Sequence, residues 1–181
     1  MSTAIFGRGL PLTEDEFLAL EPTNERVELF DGSLYVTPAP TPRHQLISRR
    51  IANLLDTRPE LTVLEGVNVR LHEGRIPIPD VVVTTPIDIN KLVIDASAVR
   101  LVCEIVSPSN AAADRVLKMH YYAAAGIPWY LLIDQETVAL HLFKLAGDRY
   151  HEHARALPGE TLRLHDPVEV EIAPEDLLPG R

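Results

Sequence analysis

Residues 99–134 read VRLVCEIVSPSNAAADRVLKMHYYAAAGIPWYLLID, and this stretch decides the fold. The run VRLVCEIV over 99–106 is almost wholly apolar, the pattern of a strand at the centre of a sheet covered on both faces. Ser107-Pro108-Ser109 breaks it. Residues 111–125, AAADRVLKMHYYAAA, then predict a helix, with Gly126 as its C′ residue and Pro128 just beyond. Residues 129–133, WYLLI, return to a buried strand in which Trp129 and Tyr130 are packing residues.

Moving outward toward the N-terminus, residues 76–84, IPIPDVVVT, are a β-rich run approached through prolines. Residues 61–71, LTVLEGVNVRL, alternate as a strand does, and Gly66 is the position expected to bulge. Residues 43–56 place Leu46, Ile47, Ile51, Leu54 and Leu55 on one helical stripe. Pro38, Pro40 and Pro42 lead into that helix in an extended conformation. Two apolar runs flank Asp31-Gly32, a strong hairpin signal. Residues 12–20, LTEDEFLAL, predict a short helix capped by Thr13, with Glu16 at the capping-box position. Beyond residue 134, the chain reads as antiparallel strands joined at Gly147-Asp148 and Pro158-Gly159, closed by the short helix PEDLL.

The expected architecture is therefore α/β: a mixed β-sheet flanked by helices, with an N-terminal hairpin and C-terminal antiparallel strands. At 181 residues, without repeat, linker or low-complexity tract, residues 1–181 are expected to form a single domain with its core at about 42–134. No run approaches the ~20 apolar residues that span a bilayer, and the first residues do not have the pattern of a signal peptide. Cys103 is the single cysteine, which excludes an internal disulfide and fits a reducing, cytoplasmic location. In its apolar run it reads as a buried inert thiol. With 17 basic and 26 acidic residues, the net charge of −9 argues against broad attraction to nucleic acid. It is compatible with carboxylates gathered around a cation.

Three apolar runs are interrupted by an acid: Glu28 in RVELF, Asp80 in IPIPDVVV and Glu104 in LVCEIV. A carboxylate inside a hydrophobic strand is costly unless it is paired or binds a metal. Alternation puts Glu104 on the side of Val102 and Val106, opposite Cys103 and Ile105. If the strands of Asp80 and Glu104 are neighbours, both carboxylates can converge on one cation. Mg²⁺ suits oxygen donors and leaves positions for water and phosphate; Mn²⁺ is the alternative. On the helix 111–125, Asp114, Lys118 and Tyr122 share one face, so Lys118 can lie over the end of the Glu104 strand. Each residue also has a plainer reading. Asp80 can cap a strand, Glu104 can form a structural ion pair, Lys118 can pair with Asp114 in solvent, and Glu28 can face water.

Pro79-Asp80, Glu104 two residues before Val106, and a lysine on the following helix together resemble the PD-(D/E)XK nuclease superfamily. The stretches RVELFDGSLYVTPAPTPRHQ, IPIPDVVV, LVCEIVSPSN and DRVLKMHYYAAAGIPWYLLID resemble more closely its Uma-two branch, described as "putative restriction endonucleases". The resemblance covers roughly residues 12–135. It implies a restriction-endonuclease-like fold, with Asp80 and Glu104 as the metal-binding acidic pair and Lys118 as the catalytic lysine moved from strand to helix. It also implies supporting roles for Glu28, His44 and Gln45, and a homodimer. The departure from the general superfamily pattern is Val106, which stands where that pattern has its lysine and cannot position a water.

Other chemistries are weaker. His151, Glu152 and His153 lack further ligands at transition-metal spacing, and an exposed strand is the simpler reading. His120 belongs at the surface. No phosphate-cradling loop and no G-x-S-x-G turn is present. Arg43, Arg49, Arg50, Arg70, Arg75 and Arg115 form either a local positive rim for nucleic acid or an ordinary charged surface. The reading is a Mg²⁺-dependent endonuclease acting on DNA, with a catalytically silent nuclease-fold binding or regulatory module as the alternative. A third reading is an assembly protein that pairs through edge segments 138–144 and 149–153.

Overall fold

The computed structural model describes residues 11–21, 25–37, 39–106 and 111–179, with side chains described from residue 116 onward in the last of these segments. The elements are α1 (Glu14–Leu18), β1 (Arg26–Phe30), β2 (Ser33–Thr37), α2 (Pro42–Leu55), β3 (Thr62–Glu65), β4 (Asn68–Arg70), β5 (Arg75–Ile76), β6 (Val81–Thr84), β7 (Val93–Asp95), β8 (Val99–Val106), α3 (Ala111–Ala124), β9 (Trp129–Asp134), β10 (Leu140–Ala146), β11 (Arg149–Ala156), β12 (Leu162–Leu164) and β13 (Val170–Ile172). Single 3₁₀ turns lie at Ala96–Ala98 and Pro174–Leu177.

A six-stranded sheet in the order β11-β10-β9-β8-β6-β3 organises the molecule. β8 and β9 run parallel and their other neighbours antiparallel, so the sheet is mixed, as expected. β8 lies inside it with both faces covered, which is why its sequence is apolar without alternation. On one face α2 packs Ile47, Ile51 and Leu55 against Val81, Val83, Leu101, Cys103 and Ile105. Each of those three helix residues is fully buried, worth about 1.5–3 kcal/mol apiece. On the other face α3 places Tyr122 in a cluster with Val82, Val102, Tyr130 and Leu132. Cys103 is buried and free, and burial pushes its thiol well above the usual range.

Local signals account for the ends of these elements. Thr13 and Glu16 form the reciprocal capping box on α1. Thr41 caps α2, and Pro42 takes the first helical position, where its missing N–H costs nothing. Asp31 and Gly32 both adopt positive φ, 51° and 81°, the turn that lets β1 and β2 pair directly. β1 also pairs with β5, forming a second sheet, β2-β1-β5.

Four expectations are corrected. The stretch 61–71 is two strands: Gly66, with φ of 60°, ends β3, and β4 leaves to pair in parallel with β7. The run 76–84 is likewise divided, because β5 ends at Ile76 and β6 begins at Val81. Residues 138–144 are no edge, since β10 is covered on both sides by β9 and β11. The Pro158-Gly159 turn does not join paired strands: β12 pairs with β13 instead. Among the described residues, no helix is long and apolar enough to cross a membrane.

Candidate active site

Alternation along β1 directs Arg26, Glu28 and Phe30 to one face. β6 begins one residue after Asp80, and its register sets Val81 opposite Cys103 and Val82 opposite Val102. One step further along that register, Asp80 stands opposite Glu104. The condition that the two strands be neighbours is met. Val102 belongs to the α3-side cluster, while Cys103 and Ile105 belong to the α2-side cluster, which leaves Glu104 facing α3 as its spacing predicts.

Lys118 comes down from α3 onto that face. Its ammonium donates to Glu28 Oε1 at 3.0 Å and lies 3.5 Å from Glu104 Oε1, with all three residues buried. The plainer reading of Lys118 as a solvated residue is therefore overturned. One turn on, the Tyr122 hydroxyl donates to Glu104 Oε1 at 2.5 Å. Glu28 Oε1 also accepts from the Ile78 backbone N–H at 2.7 Å, which ties the hairpin to the segment leading into Asp80. Burial pushes the Glu104 carboxyl up to about 7, against the pull of Lys118 and with the added repulsion of Asp80 and Glu28.

Asp80 is held from three directions. Arg26 Nη1 donates to Oδ1 at 2.6 Å, the Ile105 backbone N–H donates to Oδ2 at 2.7 Å, and His44 Nε2 lies 3.2 Å from Oδ2. Burial alone would raise this carboxyl. The His44 hydrogen bond and the Arg26 charge outweigh it and hold Asp80 at about 2. The two acids are thus set apart: Asp80 stays ionised at any working pH, and Glu104 titrates near neutrality.

Beside Asp80 opens a cleft of about 450 Å³, lined in part by Arg26, His44, Gln45, Ser48, Glu65 and Asp80. Among the described residues no three His, Cys, Asp or Glu side chains form a ready-made metal cage. Mg²⁺ does not need one: one or two carboxylates suffice, with water and phosphate oxygens completing the octahedron. Asp80 and Glu104 fit that set as hard oxygen donors, since Asp80 Oδ1 carries one hydrogen bond and keeps a second lone pair.

Asp80, Glu104, Lys118, Glu28, Tyr122 and His44 are brought together. Gln45 reaches the same cleft but is exposed on its wall. The side chains of Asp114 and Arg115 lie outside the described residues. Sequence reasoning missed Arg26, whose signal was its position two residues before Glu28 on the same strand face. It also missed the Ser48–Glu65 hydrogen bond of 2.7 Å in the cleft. The arginines expected to form a basic rim are largely engaged. Arg43 donates to the Gln135 and Glu136 carbonyls, Arg50 to those of Asp176 and Leu178, Arg70 to Glu14 and Asp95, and Arg75 to Asp31. His120, His151 and His153 are exposed, and His141 pairs with Glu152.

Comparison with known proteins bears on this arrangement. The model of the Uma2 family, described as "Putative restriction endonuclease", matches residues 14–175. A crystal structure from Anabaena variabilis, titled as a putative nuclease belonging to DUF820, superimposes with a TM-score of 0.70 at 18% identity, covering 92% of this chain and 97% of that one. At that identity the likeness is one of fold. No curated protein matches the chain in sequence.

Proposed function

Because the chain belongs to the Uma2 family, we propose that it is a divalent-metal-dependent endonuclease that hydrolyses DNA phosphodiester bonds at the site built on Asp80, Glu104 and Lys118. The observation that carries this reading is the Lys118 ammonium, buried between Glu28 and Glu104 although Val106 stands where a strand lysine would be. Asp80 and Glu104 would hold Mg²⁺ or Mn²⁺, which supplies charge neutralisation at phosphorus and a more acidic water.

The chain's own residues do the rest. Asp80, permanently ionised, fixes one ligand position, and its bonds to Ile105 N and His44 keep the carboxylate from turning. Lys118 places a positive charge where a water attacks in line and where negative charge grows on the phosphate. Tyr122 and Glu28 hold Glu104 and Lys118 in register. The attacking water adds to phosphorus and gives up one proton to solvent, the P–O bond to the leaving sugar oxygen breaks, and that oxygen takes a proton from solvent. A homodimer and a cytoplasmic location belong to the same reading, the first by family analogy and the second from the single, reduced Cys103.

The test is cleavage of labelled duplex DNA, with RNA of the same sequence as a second substrate, in Mg²⁺ and Mn²⁺. Asp80→Ala, Glu104→Ala and Lys118→Ala should each lower the rate by about 10²–10⁴. Full activity in all three variants removes the assignment. If the native chain cleaves neither substrate and gives no heat on titration with either cation, it is a silent binding module on a nuclease fold.

A further inference from the structure

Arg26 is a charged residue with an unfilled face. Nη1 is bonded to Asp80 Oδ1. Nε and Nη2 are closed to solvent and have no hydrogen-bond partner. These two nitrogens form one edge of the guanidinium, the edge that grips a carboxylate or phosphate with two parallel N–H bonds. A buried donor left unpaired is destabilising, the more so when it is charged. Neutralising the group offers no escape: burial favours the neutral form, yet Asp80, Glu104 and Glu28 together hold the guanidinium charged.

The surroundings indicate what that edge is for. Arg26 lines the cleft beside Asp80, with His44 and Gln45. The arginines expected at the surface are mostly spent on carbonyls and carboxylates of the chain itself. A chain carrying a net charge of −9 must obtain its phosphate contacts locally. We propose that Arg26 is a phosphate-binding arm: it rests on Asp80 in the free protein and moves its Nε–Nη2 edge onto two nonbridging oxygens of the phosphodiester in the cleft. The same movement frees Asp80 Oδ1. This inference rests on the nuclease reading of the site and adds to it the residue that grips the substrate.

The experiment measures binding apart from cleavage. Fluorescein-labelled duplex DNA is titrated by anisotropy in EDTA and in Ca²⁺, at several salt concentrations, against the native chain, Arg26→Ala and Arg26→Lys. Arg26→Ala should weaken binding at least about tenfold, and the slope of log affinity against log salt should fall by about one. Arg26→Lys keeps the charge beside Asp80 but loses the paired edge, so it should restore the slope and recover only part of the affinity. It also stands alone as the test if Arg26→Ala does not fold. Unchanged affinity and slope in the folded variants overturn the role of Arg26 while leaving the nuclease reading intact. Failure of the native chain to bind DNA at low salt overturns both.

Discussion

The Lys118 ammonium stands 3.5 Å from the Glu104 carboxylate although 14 residues separate them in sequence. The helix that carries it begins where the segment after β8 ends, and one face of α3 presents Lys118 and, one turn on, Tyr122 to the same acid. In the proposed reading, this proximity in space takes the place of a strand lysine at Val106.

Lys118→Met should therefore be costly twice. It leaves Glu28 and Glu104 buried without their cation, and breaking a buried pair from one side costs about 3–5 kcal/mol. Urea denaturation should show that loss, while cleavage falls by at least about 10². The double variant Lys118→Met with Glu104→Gln should recover part of the stability and none of the activity.

The Glu104 carboxyl, at about 7 against an ordinary 4.5, predicts opposite trends for stability and rate. The folded chain holds this proton to higher pH than the unfolded chain does. Glu104 therefore costs nothing below 4.5 and becomes increasingly destabilising as pH rises toward 7. In EDTA, the thermal midpoint of Glu104→Gln should exceed that of the native chain at pH 8, and the gap should close at pH 5. Cleavage should rise between pH 6 and 8 as the metal-binding form of Glu104 fills, a limb absent from the profile if Glu104 is not a ligand.

Asp80 has the reverse sign. Held at about 2 below an ordinary 3.8, it stabilises the fold at all pH values above 3.8, and that contribution is lost as pH falls toward 2. His44→Ala removes one of the bonds that keep Asp80 low. Urea denaturation of this variant, followed by circular dichroism, should show its full loss of stability at pH 7 and little difference from the native chain at pH 2, where the Asp80 contribution is itself lost. A shift of equal size at both pH values would mean that His44 acts through packing and not through Asp80.

The site was legible where charge violated an apolar pattern. Glu28, Asp80 and Glu104 stand inside hydrophobic runs, and burial demands a partner for each, so the sequence alone raises the question that Lys118, Arg26 and His44 answer. Arg26 escaped notice because it opens its strand, where an arginine reads as exposed. The division at Gly66 was hidden because Val67 and Val69 continue the alternation of Leu61 and Val63. Only the change of partner, from β6 to β7, reveals that the sheet has ended there. The central strands were legible because burial on both faces leaves continuous apolar runs, a signal independent of pairing partners.

Gly32 ties the hairpin to the site, and its replacement separates backbone effects from chemistry. Its φ is +81°, and a Cβ there would press on Pro11, whose Cα lies 3.0 Å away. The Gly32 carbonyl also accepts from Leu12 N–H at 2.9 Å, so relaxation of the turn would disturb that contact. Gly32→Ala should destabilise the chain by more than the ~1 kcal/mol of a simple positive-φ penalty. Gly74→Ala is the control: its φ is +77°, but nothing lies within 4 Å of the added carbon. Because β1 carries Arg26 and Glu28, strain at Gly32 should reach Lys118 and lower activity, whereas Gly74→Ala should lose stability with cleavage largely preserved. Equal losses in the two variants would show that the Pro11 contact adds nothing.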